Sequence, residues 1–177
     1  MKINSNITVR EVKDDDELKE FVMFPHKLYK DSKYWVAPII NEELEVLNKK
    51  INPVFKNADA HYFLALINGD IVGRLAALIN WVEVKDLKKK KVRFGWFDFV
   101  DNKEVSKSLL CEVIKIGNDN NLEFIEGPVG FSNMDKAGML IKGFEKKNTM
   151  ITLYNYSYYK DHMIAHGYKK LAEWVEY

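Results

Sequence analysis

The chain has 177 residues, 47% of them hydrophobic and 13% aromatic, which suits one ordinary domain with one continuous core. Its 27 Lys and Arg are balanced by 26 Asp and Glu, so there is no global positive field to hold a phosphate backbone, and nucleic acid is excluded as the expected partner. Cys111 is the single cysteine, the first residues lack the apolar stretch of a signal peptide, and no apolar run approaches the roughly 20 residues that cross a bilayer; a cytoplasmic protein without disulfide or membrane anchor is expected, its sequons at Asn6 and Asn155 unmodified.

Ile7 to Val12 is β-branched and alternates imperfectly, which predicts a first, edge strand. Asp14 with Glu17 three residues on forms a capping box, and Leu18, Phe21 and Val22 follow at helical spacing, so a helix begins near Asp15 and is bent or ended by Pro25. Tyr34 to Pro38 reads as an extended aromatic connector, and Ile40, Leu44 and Leu47 as a second short helix that stops before Asn52-Pro53. Tyr62 to Ile67 and Asp70 to Ile79 flank Asn68-Gly69, a pair that accepts the two positive φ angles of a type I′ turn; this predicts a hairpin whose second strand runs on toward Val84. After a charged loop at Lys88 to Lys91, Val92 to Val100 completes a three-stranded antiparallel meander.

Asp101 and Glu104 form a second capping box, and Val105, Leu109, Leu110, Val113 and Ile114 give the stripe of a core-facing helix that ends near Gly117-Asn118. Leu122 to Ile125 is a short buried strand stopped by Gly127-Pro128, parallel to the strand before the helix. Leu140, Ile141 and Phe144 suggest one or two helical turns, and Met150 to Tyr154 an extended segment. Ser157 to His166 reads as a helix running into Gly167, and Tyr168 to Tyr177 as a final strand.

This order of elements resembles the GNAT superfamily of acyl-CoA-dependent N-acyltransferases over nearly the whole chain. Two local matches carry the resemblance further: Asn68-Gly69-Asp70-Ile71-Val72-Gly73-Arg74 looks like that family's second and third strands, and His166-Gly167-Tyr168 like its last helix-to-strand junction. Phe24-Pro25, Leu28-Tyr29, Trp35-Val36, Asn52-Pro53, Gly127-Pro128 with Ser132-Asn133, and Tyr154-Asn155 with Tyr158-Tyr159 resemble an uncharacterised bacterial GNAT-like group, whose members are often longer and carry a second similar domain. The resemblance implies an α/β (α+β) fold: a mixed, mostly antiparallel sheet with a central splayed parallel strand pair, flanked by helices.

It also implies acetyl-CoA or another acyl-CoA as co-substrate, no metal, and a small-molecule or peptide amine as acceptor. In that family a loop R/Q-x-x-G-x-G/A presents backbone N–H groups to the coenzyme pyrophosphate at a helix N-terminus. Aligned on Leu109-Leu110, the loop here is Asp101 to Ser106, where Asp101 replaces Arg or Gln, and Glu104 and Ser106 replace glycines; side chains at glycine positions narrow the approach, and two carboxylates repel a pyrophosphate. Lys103 and Lys107 offset part of that repulsion. The implied coenzyme contacts are Phe97, Phe99 and Val100 for the pantetheine and Asn102, Lys103, Glu104, Val105, Ser106 and Lys107 for the pyrophosphate. Against these stands the plain reading of Asp101 and Glu104 as a helix cap.

Where many family members place a tyrosine acid, four residues before the glycine of the final helix, Met163 has no proton to give; the thiolate would need a water or Tyr159, one turn earlier, whose competing role is a core or interface aromatic. Glu126 follows the fifth strand, where a parallel pair should open a cleft, and is the candidate general base, with Ser132 and Asn133 orienting the acceptor; the competing reading is a turn bonding its own backbone. His162 and His166 stand at i, i+4 but lack a third metal ligand, which favours two solvent-facing histidines. Lys88 to Lys91 is read as a solvated loop and Cys111 as a bystander. Only one strand follows the last helix where the family has two, so an unpaired Leu171 to Val175 edge predicts a homodimer or a companion domain. Two functions follow: amine attack on an acyl-CoA thioester, or a GNAT-like binding domain that no longer takes the coenzyme.

Overall fold

The computed structural model describes residues 6–132, 134–149 and 152–175. At its centre lies a five-stranded sheet of β1 (Ile7–Glu11), β2 (Ala58–Ile67), β3 (Asp70–Asn80), β4 (Lys91–Phe99) and β5 (Phe124–Glu126), ordered across the sheet as along the chain. Successive strands from β1 to β4 are antiparallel and β5 lies parallel to β4, so the sheet is mixed and mostly antiparallel, as expected. Among the described residues four α-helices flank it: α1 (Asp15–Leu28), α2 (Ile40–Leu47), α3 (Lys103–Asp119) and α4 (Tyr158–Ala165).

Period-two alternation explains why the central strands read as apolar runs: both faces are covered. Phe63, Ala65, Leu75, Ala77 and Ile79 point toward Val105, Leu109 and Val113 of α3 and Tyr159 and Met163 of α4. Their neighbours Tyr62, Leu64, Ala76 and Leu78 point the other way, onto Leu18, Phe21 and Val22 of α1 and Leu47 of α2. The β2–β3 turn has φ of 52° at Asn68 and 89° at Gly69, the left-handed pair that an Asn-Gly turn supplies cheaply.

Several elements depart from expectation. Helix α1 does not stop at Pro25 but continues to Leu28. Proline leaves the Phe21 carbonyl without its helical donor, and Arg74 Nη1 from β3 donates to that oxygen at 3.0 Å, which removes the usual penalty for proline inside a helix. Strand β3 ends at Asn80 rather than running to Val84, because the Asn80 side chain accepts the Val82 and Glu83 N–H groups and starts a π turn, Val82–Asp86. The cap of α3 is Asn102, whose Oδ1 accepts the Glu104 N–H, and not Asp101. No helical turn forms at Leu140 to Phe144, where Asn155 instead bonds the Leu140 backbone in both directions. Residues 152–154 are irregular, and 150–151 lie outside the described residues. The final strand is also not found: residues 168–175 are irregular, with 176–177 outside the described set. Gly167, with φ of 85°, ends α4 as the C′ residue anticipated.

Candidate functional site

Strand β4 carries the site, and its backbone is interrupted. Arg74 faces Asp98 across the β3–β4 ladder while Ala76 faces Gly95, so one extra residue is inserted near Trp96, whose φ is 45°. The bulge lets Phe94 and Phe97, three residues apart, join the same core, while Trp96 turns to the opposite face and donates its indole N–H to Glu43 of α2 at 2.7 Å. Beyond the bulge no strand among the described residues pairs with the outer side of β4. β5 pairs only Phe124 to Glu126 with Lys91 to Arg93, the Val129 N–H then reaches the Phe94 carbonyl at 2.8 Å, and from there the two chains part. The splayed parallel pair is therefore present.

Side chains fill the gap it leaves. The Phe99 N–H, pointing away from β3, donates to the Tyr159 hydroxyl at 3.1 Å, and the Phe99 carbonyl accepts from the Tyr158 hydroxyl at 2.5 Å. Tyr159 stacks on the Phe99 ring, with centroids 4.3 Å apart. Its hydroxyl also meets that of Tyr29, at the C-terminus of α1, at 2.8 Å, and Tyr29 donates to Asp98 Oδ1 at 2.8 Å. Asp98 Oδ2 receives Arg74 through Nε and Nη2, each at 2.8 Å. Donor and acceptor roles therefore run in one direction, from the Phe99 amide through Tyr159 and Tyr29 to a carboxylate paired with Arg74. Arg74, Asp98, Tyr29 and Tyr159 are all buried.

This burial sets the chemistry. Tyr159 is held well above the ordinary phenol pKa, first by desolvation and then by the charge of Asp98 and by Tyr158, while its bonds to Tyr29 and Phe99 pull weakly the other way. Tyr29 is raised by desolvation, then by Asp98 and Tyr159. Such phenols keep their protons, and proton transfer is most efficient from a group that titrates near the working pH.

The first turn of α3 is covered as well. Ser106, fully buried, places Oγ 2.9 Å from His162 Nδ1, 2.8 Å from His166 Nε2 and 3.0 Å from the Lys103 carbonyl. His162 Nε2 lies 2.9 Å from Asp101 Oδ1. His162 is thus 1% exposed and not the solvent-facing residue its spacing suggested. No group of three or more His, Cys, Asp or Glu suited to a metal occurs among the described residues.

The remaining candidates lie elsewhere. Glu126 bonds Lys91 Nζ at 2.5 Å and lies 3.6 Å from Arg93 Nε, within a cluster that also holds Glu83. It stands level with Arg93, six residues along β4 from Phe99, the residue whose N–H bonds Tyr159. The two expected proton carriers are not brought together. Ser132 sits in a turn in which its Oγ accepts the Met134 N–H and its own N–H reaches Asp135, the self-bonded arrangement weighed against an acceptor role; Asn133 lies outside the described residues. Lys91, expected in a solvated loop, is buried in β4 against Glu83 and Glu126, and Cys111 is exposed. Arg74 and Asp98 were overlooked in the sequence, although a charge inside Gly-Arg-Leu-Ala-Ala and another inside Trp-Phe-Asp-Phe signal a buried pair, since isolated charges are not kept in a core.

No family model matches the chain. Among curated proteins it is similar to Protein YghO of Escherichia coli, 28% identical over 172 residues, covering 95% of this chain and 44% of that protein. It is similar too to the bacterial ceramide synthase of Caulobacter vibrioides, 26% identical over 175 residues, covering 98% of this chain and 46% of that protein. The chain spans less than half the length of these relatives. Among solved structures, a predicted acetyltransferase with acetyl-CoA from Clostridium acetobutylicum superposes with a TM-score of 0.59 at 13% identity, covering 97% of this chain and 95% of that one. A tandem GNAT protein from the clavulanic acid biosynthesis pathway superposes with a TM-score of 0.52 at 11% identity, covering 66% of this chain and 34% of that one. The fold is that of the GNAT acetyltransferases.

Within a GNAT fold, the implied coenzyme contacts can be tested for fit. The Phe97 to Val100 backbone would align the pantetheine, but both outward groups of Phe99 are bonded to tyrosines. The Asn102 to Lys107 turn would meet the pyrophosphate, but Asn102 caps one amide, Val105 and Ser106 donate to the Asn102 carbonyl, and Ser106 is covered by two histidines. Glu104 adds a carboxylate on an exposed position of the same turn. In this arrangement the places an acyl-CoA would take are held by Tyr158, Tyr159, His162 and His166 of α4 and its C-terminal end.

Proposed function

We propose that this chain is a GNAT-fold domain belonging to a two-domain N-acyltransferase, and that coenzyme binding and acyl transfer are carried out by a companion domain. The observation that carries this reading is the capture of the Phe99 backbone by Tyr158 and Tyr159, which occupies the strand edge an extended pantetheine would need. Relatives more than twice as long as this chain leave room for the companion. In the whole protein an amine would attack the thioester carbonyl, forming an amide and releasing the thiol of coenzyme A. A ceramide is an amide of a long-chain amino alcohol, so the name of the Caulobacter vibrioides relative is in keeping with an amine acceptor. Assignment to the cytoplasm belongs to the same proposal. No helix among the described residues is long and apolar enough to cross a membrane.

A second reading draws on the likeness to a structure with acetyl-CoA: α4 swings aside, the Phe97 to Val100 edge and the Asn102 to Lys107 turn receive acyl-CoA, and Tyr159 protonates the leaving thiolate. Thermal denaturation with acetyl-CoA and with a long-chain acyl-CoA separates the two. A ligand at 100 times its dissociation constant adds about 2.7 kcal/mol of stability. An unchanged melting temperature at millimolar coenzyme is expected; a rise that Lys103→Glu abolishes would overturn the first reading in favour of the second.

A further inference from the structure

The segment after α4 turns apolar side chains outward. Leu171 is 81% exposed, Val175 69% and Trp174 54%, and Ile164 on α4 itself is 60% exposed. Trp174 is fixed on one side only: its six-membered ring lies on Gly138, where an added Cβ would come within 2.6 Å of Cη2, and more than half of the residue is still presented to solvent. Lysines surround these side chains. Lys160 stands four residues before Ile164 and so on the same face of α4, whereas Asp161, the one acid of that helix, projects about 100° round from Lys160. Lys170 bonds Glu173 at 2.5 Å. The Glu173 carboxyl is held below the usual carboxylate range by that hydrogen bond and the Lys170 charge first, with Lys142 and Lys160 adding to them, so both of those ammonium groups stand near the segment as well. Lys142, Lys160 and Lys169 are exposed and have no carboxylate partner among the described residues.

We propose that Ile164, Leu171, Trp174 and Val175 form a patch that settles on an anionic lipid surface, with Lys142, Lys160 and Lys169 reaching its headgroups. Protruding apolar groups beside unpaired cations supply the two attractions that hold a protein at such a boundary, burial among acyl chains and neutralisation of headgroup charge. An indole suits the boundary, having an apolar body and a polar N–H, and lysine stems can lie along apolar material while their charge stays in water. No helix among the described residues is long and apolar enough to cross a membrane, so the contact is peripheral. A second copy of the chain fits the patch less well. Residues 168–175 form no strand, which leaves no ladder edge for a copy to extend. A two-fold contact here would also bring the same three lysines of each copy into one interface. The inference does not depend on how the cleft beside β4 is read.

The test is sedimentation of the whole chain with vesicles of phosphatidylcholine and with vesicles of phosphatidylcholine and phosphatidylglycerol in equal parts. Binding to the mixed vesicles is expected, weakening as salt is raised, with little binding to phosphatidylcholine alone. Lys142→Gln, Lys160→Gln and Lys169→Gln should each lower the partition coefficient about fivefold. Leu171→Ser should lower it about tenfold. Because these positions are exposed, the variants should melt with the native chain. Brominated acyl chains should quench the fluorescence of the native chain but not that of Trp174→Phe, which keeps Trp35, Trp81 and Trp96. The proposal is overturned if the mixed vesicles carry down no protein, or if the lysine and Leu171 variants bind as well as the native chain. It is overturned too if sedimentation velocity without lipid reveals a dimer that Leu171→Ser disperses, which would give the patch to a second copy.

Discussion

Arg74 donates to the carbonyl of Phe21, the oxygen that Pro25 leaves without a partner, and with the rest of its guanidinium grips Asp98. One β3 side chain therefore repairs α1 and neutralises a buried β4 carboxylate. Arg74→Met strands both and should cost about 3 to 5 kcal/mol in urea denaturation, whereas the double variant Arg74→Met, Asp98→Asn should recover part of that loss because no unpaired charge remains.

Tyr159→Phe keeps the ring stacked on Phe99 but removes the hydroxyl between the Phe99 amide and Tyr29. A loss of about 1 to 3 kcal/mol is expected, because the buried Phe99 N–H is left without a partner while Tyr29 keeps its bond to Asp98. Under the second functional reading the same variant would also lower turnover, so activity measured beside denaturation tells the two readings apart.

Gly95→Ala tests the geometry of the parting strands. A Cβ there would lie 2.6 Å from the Val129 carbonyl oxygen, a backbone atom that cannot rotate away. The segment that follows β5 must shift, and destabilisation of about 1 to 3 kcal/mol is expected, with amide exchange rising at Val129.

The buried phenols predict alkaline instability. Tyr29, Tyr62, Tyr158 and Tyr159 are raised chiefly by desolvation, and Tyr168 is pushed up to about 12 by the same cause. Their folded pKa values exceed the unfolded value of 10.0, so above that pH the unfolded chain holds fewer protons than the native one. Stability is fully present below pH 10.0 and falls as pH rises through the folded values. Ultraviolet titration should show these phenolates appearing only together with unfolding.

Much of the sheet was legible because its signals are local. Asn68-Gly69 announces its own turn, and alternating apolar runs on either side announce strands covered on both faces. The ends of elements were not local. Pro25 is accommodated in the helix because Arg74 reaches the Phe21 carbonyl from 53 positions along the chain, and β3 stops at Asn80 because its side-chain oxygen captures the Val82 and Glu83 amides. The site was the least legible part. Its departures from the GNAT coenzyme loop could be read at Asp101, Glu104 and Ser106, but that Tyr158 and Tyr159 would occupy the Phe99 backbone depends on how a distant helix docks, which spacing does not encode. Glu126 and Tyr159 look alike as proton carriers in sequence and lie at opposite ends of β4 in space.

Because α4 fills the seam beside β4 and is the last regular element among the described residues, cutting the chain before Tyr158 would strip the cover from the Phe97 and Phe99 rings and leave a greasy furrow open to water.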